Sequence, residues 1–225
     1  MHWLERWLLP SKCVLSGEDS ELLDISERLV ESWRVPLEVC PQCCEPSPGG
    51  QVCGACLTKP PSFDRTQVGF YFEKELVDLV YGLKYQNRFA FSRILAELLM
   101  SRLQDDKVDA LVFVPLHVKR RRDRGYNQAE LIAQQLAKHF RIPLIGNGVE
   151  RVMDTPSQTH LDAKQRHRNL KNAFKVDSSA FRGVRRIALV DDVITTGATM
   201  LQLSRAIKSH TEIEWVEAWA VAKTK

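Results

Sequence analysis

Two groups of residues in this 225-residue sequence are spaced for chemistry. The first is Ile187-Ala188-Leu189-Val190-Asp191-Asp192-Val193-Ile194-Thr195-Thr196-Gly197-Ala198-Thr199. Its short apolar run reads as a buried parallel strand over 186–190, ending in two carboxylates. The turn that follows opens where parallel sheets bind their ligands. A helical pattern from about 197 to 209 comes next. The free N–H groups at its start accept an anion, and Gly197 lets that anion approach the backbone. Thr195, Thr196 and Thr199 add hydroxyl donors. Asp191 and Asp192 would repel a phosphate in direct contact. One unit away they can accept hydrogen bonds from ribose hydroxyls and help to hold a hydrated Mg²⁺. A capped strand–turn–helix, or a Mg²⁺-dependent phosphoacceptor site, also ends a strand in acids. Neither requires the threonine pair and the glycine in this order. A P-loop is excluded, and no Gly-x-Gly-x-x-Gly follows a strand. The segment points to a pentose phosphate.

The second group is Cys40-x-x-Cys43 and Cys53-x-x-Cys56, two knuckles joined by a turn-rich stretch. Two thiolate pairs complete a tetrahedral Zn²⁺ shell with no open position, so the metal would be structural. Buried free thiols or a redox Cys-x-x-Cys fit less well, because no thioredoxin-like strand and helix surround the pairs. Cys44 adjoins Cys43 and could exchange with it as a ligand. Cys13 stands in Cys13-Val14-Leu15-Ser16, which has no second thiol at the Cys-x-x-Cys spacing, and is expected to pack.

Charge divides the chain. Residues 1–64 carry a net −5 and the remainder a net +9, within a total of +4. The basic part suits phosphate-rich ligands, small or polymeric. Lys119-Arg120-Arg121-Arg122-Asp123-Arg124 and Lys164-Gln165-Arg166-His167-Arg168 are its densest runs. Tyr85, Phe89 and Tyr126 could stack on bases, although apolar aromatics at helical spacing more often belong to a core. The six histidines show no metal spacing; His160 and His167 fall in an irregular basic loop. No apolar run approaches the ~20 residues of a membrane span. Glu5-Arg6 interrupts the N-terminal segment where a signal peptide would be apolar. A soluble cytoplasmic protein with reduced cysteines is the expectation.

These residues need elements to position them. Helical spacing is found from about Ser20 to Trp33, at 74–86, at 88–104 and at 127–140, where Asn127 and Glu130 resemble a capping box. Strands are expected at Thr66–Phe72, Ala110–Pro115, 142–145, 186–190 and 213–222, with an irregular loop at 151–171. Lys59-Pro60-Pro61 reads as a stiff linker. It divides residues 1–63, a helix plus a four-cysteine zinc module, from a domain at 64–225. Alternating strands and helices predict an α/β fold with an open, mainly parallel sheet.

The segment at 187–199 resembles the signature of type I phosphoribosyltransferases, which bind phosphoribosyl pyrophosphate (PRPP) with Mg²⁺. Further stretches resemble the ComF/GntX family. They are Leu83-Lys84-Tyr85, Val114-Pro115-Leu116, Arg122-Asp123-Arg124-Gly125-Tyr126-Asn127-Gln128, Thr155-Pro156-Ser157-Gln158-Thr159 and Arg166-His167-Arg168-Asn169-Leu170-Lys171-Asn172-Ala173-Phe174. With the cysteine-rich front end, the likeness covers nearly the whole chain.

The resemblance implies a type I phosphoribosyltransferase-like core behind a zinc module. It also implies a role in natural competence, handling incoming single-stranded DNA alongside other competence proteins. Carried over to this chain, Asp191 and Asp192 match the ribose-contacting acids, and Thr195, Thr196, Gly197, Ala198 and Thr199 the 5′-phosphate loop. Residues 115–125 match the pyrophosphate loop, with Lys84, Arg122 and Arg124 as candidate partners of that group. Loop 151–171 matches the mobile catalytic hood. Whether the chain turns over PRPP, and with what acceptor, is left open by these motifs. The alternative to a binding role is an active phosphoribosyltransferase of nucleotide or amine metabolism.

Overall fold

The computed structural model describes residues 12–20, 24–36, 38–104, 107–154 and 173–225. Four parallel strands, β1 (Arg65–Tyr71), β2 (Ala110–Phe113), β5 (Arg186–Ile194) and β6 (Trp215–Lys223), form one sheet in the order β1-β6-β5-β2. A separate antiparallel pair joins β3 (Val149–Arg151) to β4 (Phe174–Val176). This is the open, mainly parallel α/β architecture expected from the alternating pattern.

The central strands are buried on both faces, so each feeds two cores. Successive side chains of a strand point to opposite faces. In β5, Ala188 and Val190 pack with α3 (Glu75–Tyr85), α4 (Ala90–Met100) and α6 (Gln128–Phe140). Ile187 and Leu189 pack on the other face with Met200, Leu203 and Ile207 of α7 (Ala198–His210). The connection after β2 thus goes to one face and the helix after β5 to the other. Between the carboxyl ends of β2 and β5 a crevice must open.

A carboxylate lies deep inside this sheet. Glu217 of β6 has no exposed surface. Its carboxylate accepts from Gln67 Nε2 at 2.8 Å and from the indole N–H groups of Trp215 and Trp219 at 3.0 and 2.8 Å, which offsets its desolvation.

The N-terminal region covers an edge that would otherwise invite pairing with another chain. Tyr71 N donates to the Trp33 carbonyl (2.7 Å), and Thr66 N to that of Pro41 (2.8 Å). Trp33 itself is buried in the α3/α4 core, with its indole donating to Glu75 at 3.1 Å. Its helix, α1 (Glu27–Ser32), is shorter than the periodicity suggests, and residues 21–23 of that segment lie outside the described residues.

Three differences from the sequence reading bear on the site. First, β5 runs on to Ile194, because β6 extends alongside it to Lys223; Asp191 and Asp192 therefore sit within the strand. Second, the basic run read as a loop contains α5 (Val118–Arg124). His117 caps its start, Gly125 ends it at φ +82°, and its last-turn arginines suit the negative end of the helix dipole. Third, residues 142–145 contribute only a single bridge, Leu144 beside Leu111, while β3 and β4 make a hairpin-like pair at the ends of the expected loop.

Candidate functional site

The crevice is a cleft of about 520 Å³. β5 supplies Asp191 and Asp192 to it, the turn after β5 supplies Thr195 and Thr196, and the start of α7 supplies Thr199. Lys84 arrives from the last turn of α3, Arg120 and Arg124 from α5, and Arg151 from β3. A second hollow of about 460 Å³, lined by Lys84, Tyr85, Asn87, Arg120, Asp123 and Arg124, continues the cleft along α5.

The acids are held differently. Asp192 is buried, and its Oδ2 lies 2.6 Å from the Lys84 ammonium, while Oδ1 accepts from the Val193 amide at 2.8 Å. Burial alone would lower the pKa of Lys84, but the carboxylates of Asp192 and Asp191 outweigh it and raise it. Asp191 has no such direct cation among the described residues. Its burial, followed by the neighbouring charge of Asp192, pushes its carboxyl up to about 8. Two adjacent carboxylates with one ammonium between them leave a negative environment that a divalent cation, or hydroxyl donors, can satisfy.

The loop beyond the acids has the opposite character. Gly197 takes φ +70° and begins α7, a 13-residue helix with no side chain capping its first turn and no acid in it. Thr195 and Thr196 are exposed. Uncapped amides, a positive dipole end and free hydroxyls make a seat for an anion. Gly197 and Ala198 do not line the cleft; they line a neighbouring cavity behind the loop.

Opposite the loop stand the cations. Arg124 lies over the Tyr85 ring, 5.2 Å from its centroid, and donates to Gln128 Oε1 at 2.5 Å. Arg122 does not reach the cleft. It follows Arg120 by two residues, about 200° around the helix, and is exposed, whereas Arg120 and Arg124 are four apart and share a face. Arg151 is buried, its pKa lowered by that burial and by the nearby charge of Arg120. Asn127 fixes the floor, donating to the Val114 carbonyl (2.9 Å) while accepting from the Ala129 amide (3.0 Å). The reciprocal half of a capping box is replaced by an ion pair, Glu130 with Arg121 at 3.2 Å.

Arg120, Arg151 and Thr224 were not legible as cleft residues. A helical reading of 118–124 could have found Arg120. Arg151 depends on β3 pairing with β4, more than twenty residues on, which no local pattern signals. Most of the expected hood, including His160 and His167, lies outside the described residues.

Tyr81 (52% exposed), Tyr85 (61%) and Phe89 (50%) form an open aromatic strip beside the basic hollow. Tyr126 does not join them as a free surface: it packs edge-on against Phe89, and its hydroxyl donates to the Leu83 carbonyl.

The other chemical group also converges. The Sγ atoms of Cys40, Cys43, Cys53 and Cys56 all lie within 4.8 Å of one another, and those of Cys43 and Cys53 are 3.6 Å apart. Tetrahedral thiolates around zinc stand about 3.8 Å apart, given Zn–S bonds of about 2.3 Å. The donor set fits a closed, structural Zn²⁺ site. Burial works against the Cys40 thiolate, but N–H donors from Cys53, Cys43 and Gln42 bring its pKa down to about 7.

Cys44 stays out of the set. It is buried at φ +58°, and its carbonyl accepts from the Lys223 ammonium (3.1 Å). Cys13 heads a second turn of the same design. Cys13 N bonds to Glu18 O and Gly17 N to Cys13 O, as Cys40 N bonds to Glu45 O and Cys44 N to Cys40 O, each at 2.8 Å. Residues 13–18 are thus a knuckle with Ser16 where the second thiol would stand.

Comparison with known proteins decides the family. Competence protein F of Haemophilus influenzae is 40% identical over 182 residues, covering 77% of this chain and 79% of that protein. This chain belongs to the ComF family of competence proteins. The DNA utilization protein YhgH of Salmonella typhimurium is 33% identical to this ComF-family chain over 199 residues, 85% of it and 86% of YhgH. Competence protein ComFC of Bacillus subtilis shares 32% over 108 residues, 48% of this chain and 41% of its own. No family model matches. Among solved structures, an adenine phosphoribosyltransferase from Thermoanaerobacter pseudethanolicus is 17% identical, with a TM-score of 0.37 over 63% of this chain and 83% of its own. A UMP synthase from Leishmania donovani, also 17% identical, has a TM-score of 0.34 over 62% of this chain and 22% of its own. Among the described residues, no helix of this ComF-family chain is long and apolar enough to cross a membrane.

Proposed function

We propose that this protein binds phosphoribosyl pyrophosphate, or a related pentose phosphate, with Mg²⁺, and serves the handling of single-stranded DNA during natural competence. The observation that carries the pentose phosphate is the meeting of opposite electrostatics in one cleft. Thr195, Thr196 and Thr199, beside an uncapped helix start, line one part of it; Asp191 and Asp192, the latter paired with Lys84, line another; and Arg120, Arg124 and Arg151 line a third. A 5′-phosphate suits the first, ribose hydroxyls and a hydrated cation the second, and a pyrophosphate the third. Calorimetry with PRPP and Mg²⁺ tests this. Saturable binding should be lost when Asp191→Asn and Asp192→Asn are combined. Unchanged affinity in that variant means the sugar does not sit against the acids.

The DNA half draws on the printed names of the relatives, competence and DNA utilization proteins, together with the aromatic strip. Exposed rings beside arginines bind single strands by stacking and phosphate contact. Binding of a fluorescent single-stranded oligonucleotide should weaken steeply with salt. It should also fall in Tyr85→Ala. No binding at low salt would leave only a partner-mediated role.

A catalytic reading is favoured by one further observation, the cations at the pyrophosphate end, which would stabilise a departing charge. Pyrophosphate release from PRPP across bases, amines and nucleotides decides it; silence with all of them removes turnover.

A further inference from the structure

Behind the loop at 195–198, on the side away from the acids, lies a second cavity of about 530 Å³, within the range of small-molecule sites. Its walls come from three parts of the fold: the zinc module, the linker at 59–63, and the outer face of α7. The surface is mostly carbon, with Pro60, Pro61, Ile194 and Leu201 available to a ligand. These walls are fixed to one another. Ser62 Oγ donates to the Leu201 carbonyl at 2.7 Å, Ser204 Oγ donates to Ser62 Oγ at 2.9 Å, and Lys223 Nζ reaches the Cys44 carbonyl at 3.1 Å. A hollow held open by such ties is part of the design of the interface.

Four cations belong to this flank, and they fall into two classes. Lys208 is paired with Asp64 at 2.6 Å, and Lys223 with Glu45 at 2.5 Å. Lys59 and Arg205, which line the cavity and are exposed, have side chains without any ion pair or hydrogen bond to the described residues. An apolar slot with two unmatched positive charges is complementary to a molecule with a carbon body and a negative end. Its one acid, Glu45, is engaged by Lys223, and it has no counterpart of the acid pair, which separates it from the cleft.

We propose that this cavity is a second ligand site, for a small apolar anion. Its aromatic or short aliphatic body lies against Pro60, Pro61 and Leu201, and its carboxylate, sulfonate or phosphate monoester meets Lys59 and Arg205. Thr195, Thr196, Gly197 and Ala198 form the wall next to the phosphate loop, so the ligand touches the back of that loop. The site stands whatever the cleft binds.

The test uses 8-anilinonaphthalene-1-sulfonate as the probe, with the full-length, metal-loaded protein. Its fluorescence should rise saturably with one molecule bound. Lys59→Glu with Arg205→Glu should weaken binding about tenfold or more, the scale of two partly exposed charge contacts reversed. Arg182→Glu, an exposed reversal outside the cavity, should leave it unchanged. Neutral N-phenyl-1-naphthylamine should bind less tightly than the sulfonate. Far-UV circular dichroism and zinc content establish that the double variant is folded; if it is not, Lys59→Gln with Arg205→Gln replaces it. Unchanged affinity in the folded variant, equal affinity for the neutral dye, or no saturable binding overturns the site. Displacement of the probe by excess ribose 5-phosphate would put it in the cleft and overturn the site too. None of these results alters whether PRPP binds among the acids.

Discussion

The ammonium of Lys84, at the end of α3, stands 2.6 Å from the carboxylate of Asp192 on β5, with only 21% and 4% of the two side chains exposed. The pair joins a helix on one face of the sheet to the strand that carries the candidate site. It also leaves Asp191, one residue away, without a direct cationic partner among the described residues. The charge pattern of the cleft follows from that asymmetry.

Removing Lys84 should therefore destabilise the protein before any ligand is considered. Lys84→Met strands a buried carboxylate, and the expected loss is roughly 2–4 kcal/mol, toward the lower end for a buried pair because the lysine keeps some solvent. Adding Asp192→Leu removes the stranded charge and should restore much of the loss. Urea unfolding of the two single variants and the double variant measures this. A Lys84→Met midpoint equal to that of the unaltered protein would mean that the pair contributes nothing.

Asp191 sets a pH dependence of opposite sign to the usual carboxylate. Its folded pKa, near 8, lies above the ordinary value of 3.8. Between those limits the folded state holds a proton that the unfolded state has released, so stability falls as pH rises from about 4 through 8. Asp191→Asn removes this titration. The variant should match the unaltered protein below about pH 4, where the carboxyl is neutral in both states, and exceed it increasingly toward pH 8. Thermal melts at intervals across that range are the check, at roughly 2–4 °C per kcal/mol for a chain of this size. A constant difference at every pH would contradict the raised pKa.

What could be read from the residues alone follows the range of the interactions. Asp191 to Thr199 were legible because strand, acids, turn and helix start are contiguous, and each constrains the next. The four clustered cysteines were legible because a knuckle is local. Arg151 was not, since its place depends on a strand pair closed across a long intervening segment. Arg122 was included because it falls in the stretch that resembles the pyrophosphate loop, and helical geometry turns it away. The knuckle at residues 13–18 shows the limit in the other direction. Its thiol was noticed and its partner's loss correctly marked, but that the backbone keeps the turn is a fact of hydrogen bonding that no residue type displays.

The four-cysteine cluster yields a contrast among cysteines. Cys53→Ser breaks a four-thiolate shell that can contribute on the order of 10 kcal/mol to folding. It should abolish stoichiometric zinc and lower solubility. Cys13→Ser and Cys44→Ser should keep one zinc per chain, because neither thiol belongs to the cluster. Metal analysis of the purified variants distinguishes them. Loss of zinc from a folded Cys44→Ser protein would move that residue into the ligand set.

Gly197 provides the narrowest test of the phosphate loop. Its φ of +70° costs a residue with a side chain about 1–2 kcal/mol. A Cβ built there meets nothing within 4 Å, so the penalty is conformational and not steric. Gly197→Ala should therefore fold, with a modest loss of stability. The strain is relieved by turning the backbone at the start of α7, and that rotation carries the open amides away from a bound anion. The expected result is a drop of tenfold or more in affinity for PRPP, an energy of about 1.4 kcal/mol, with zinc content unchanged. Equal affinity, measured by calorimetry on the folded variant, would show that the first turn of α7 takes no part in holding the phosphate.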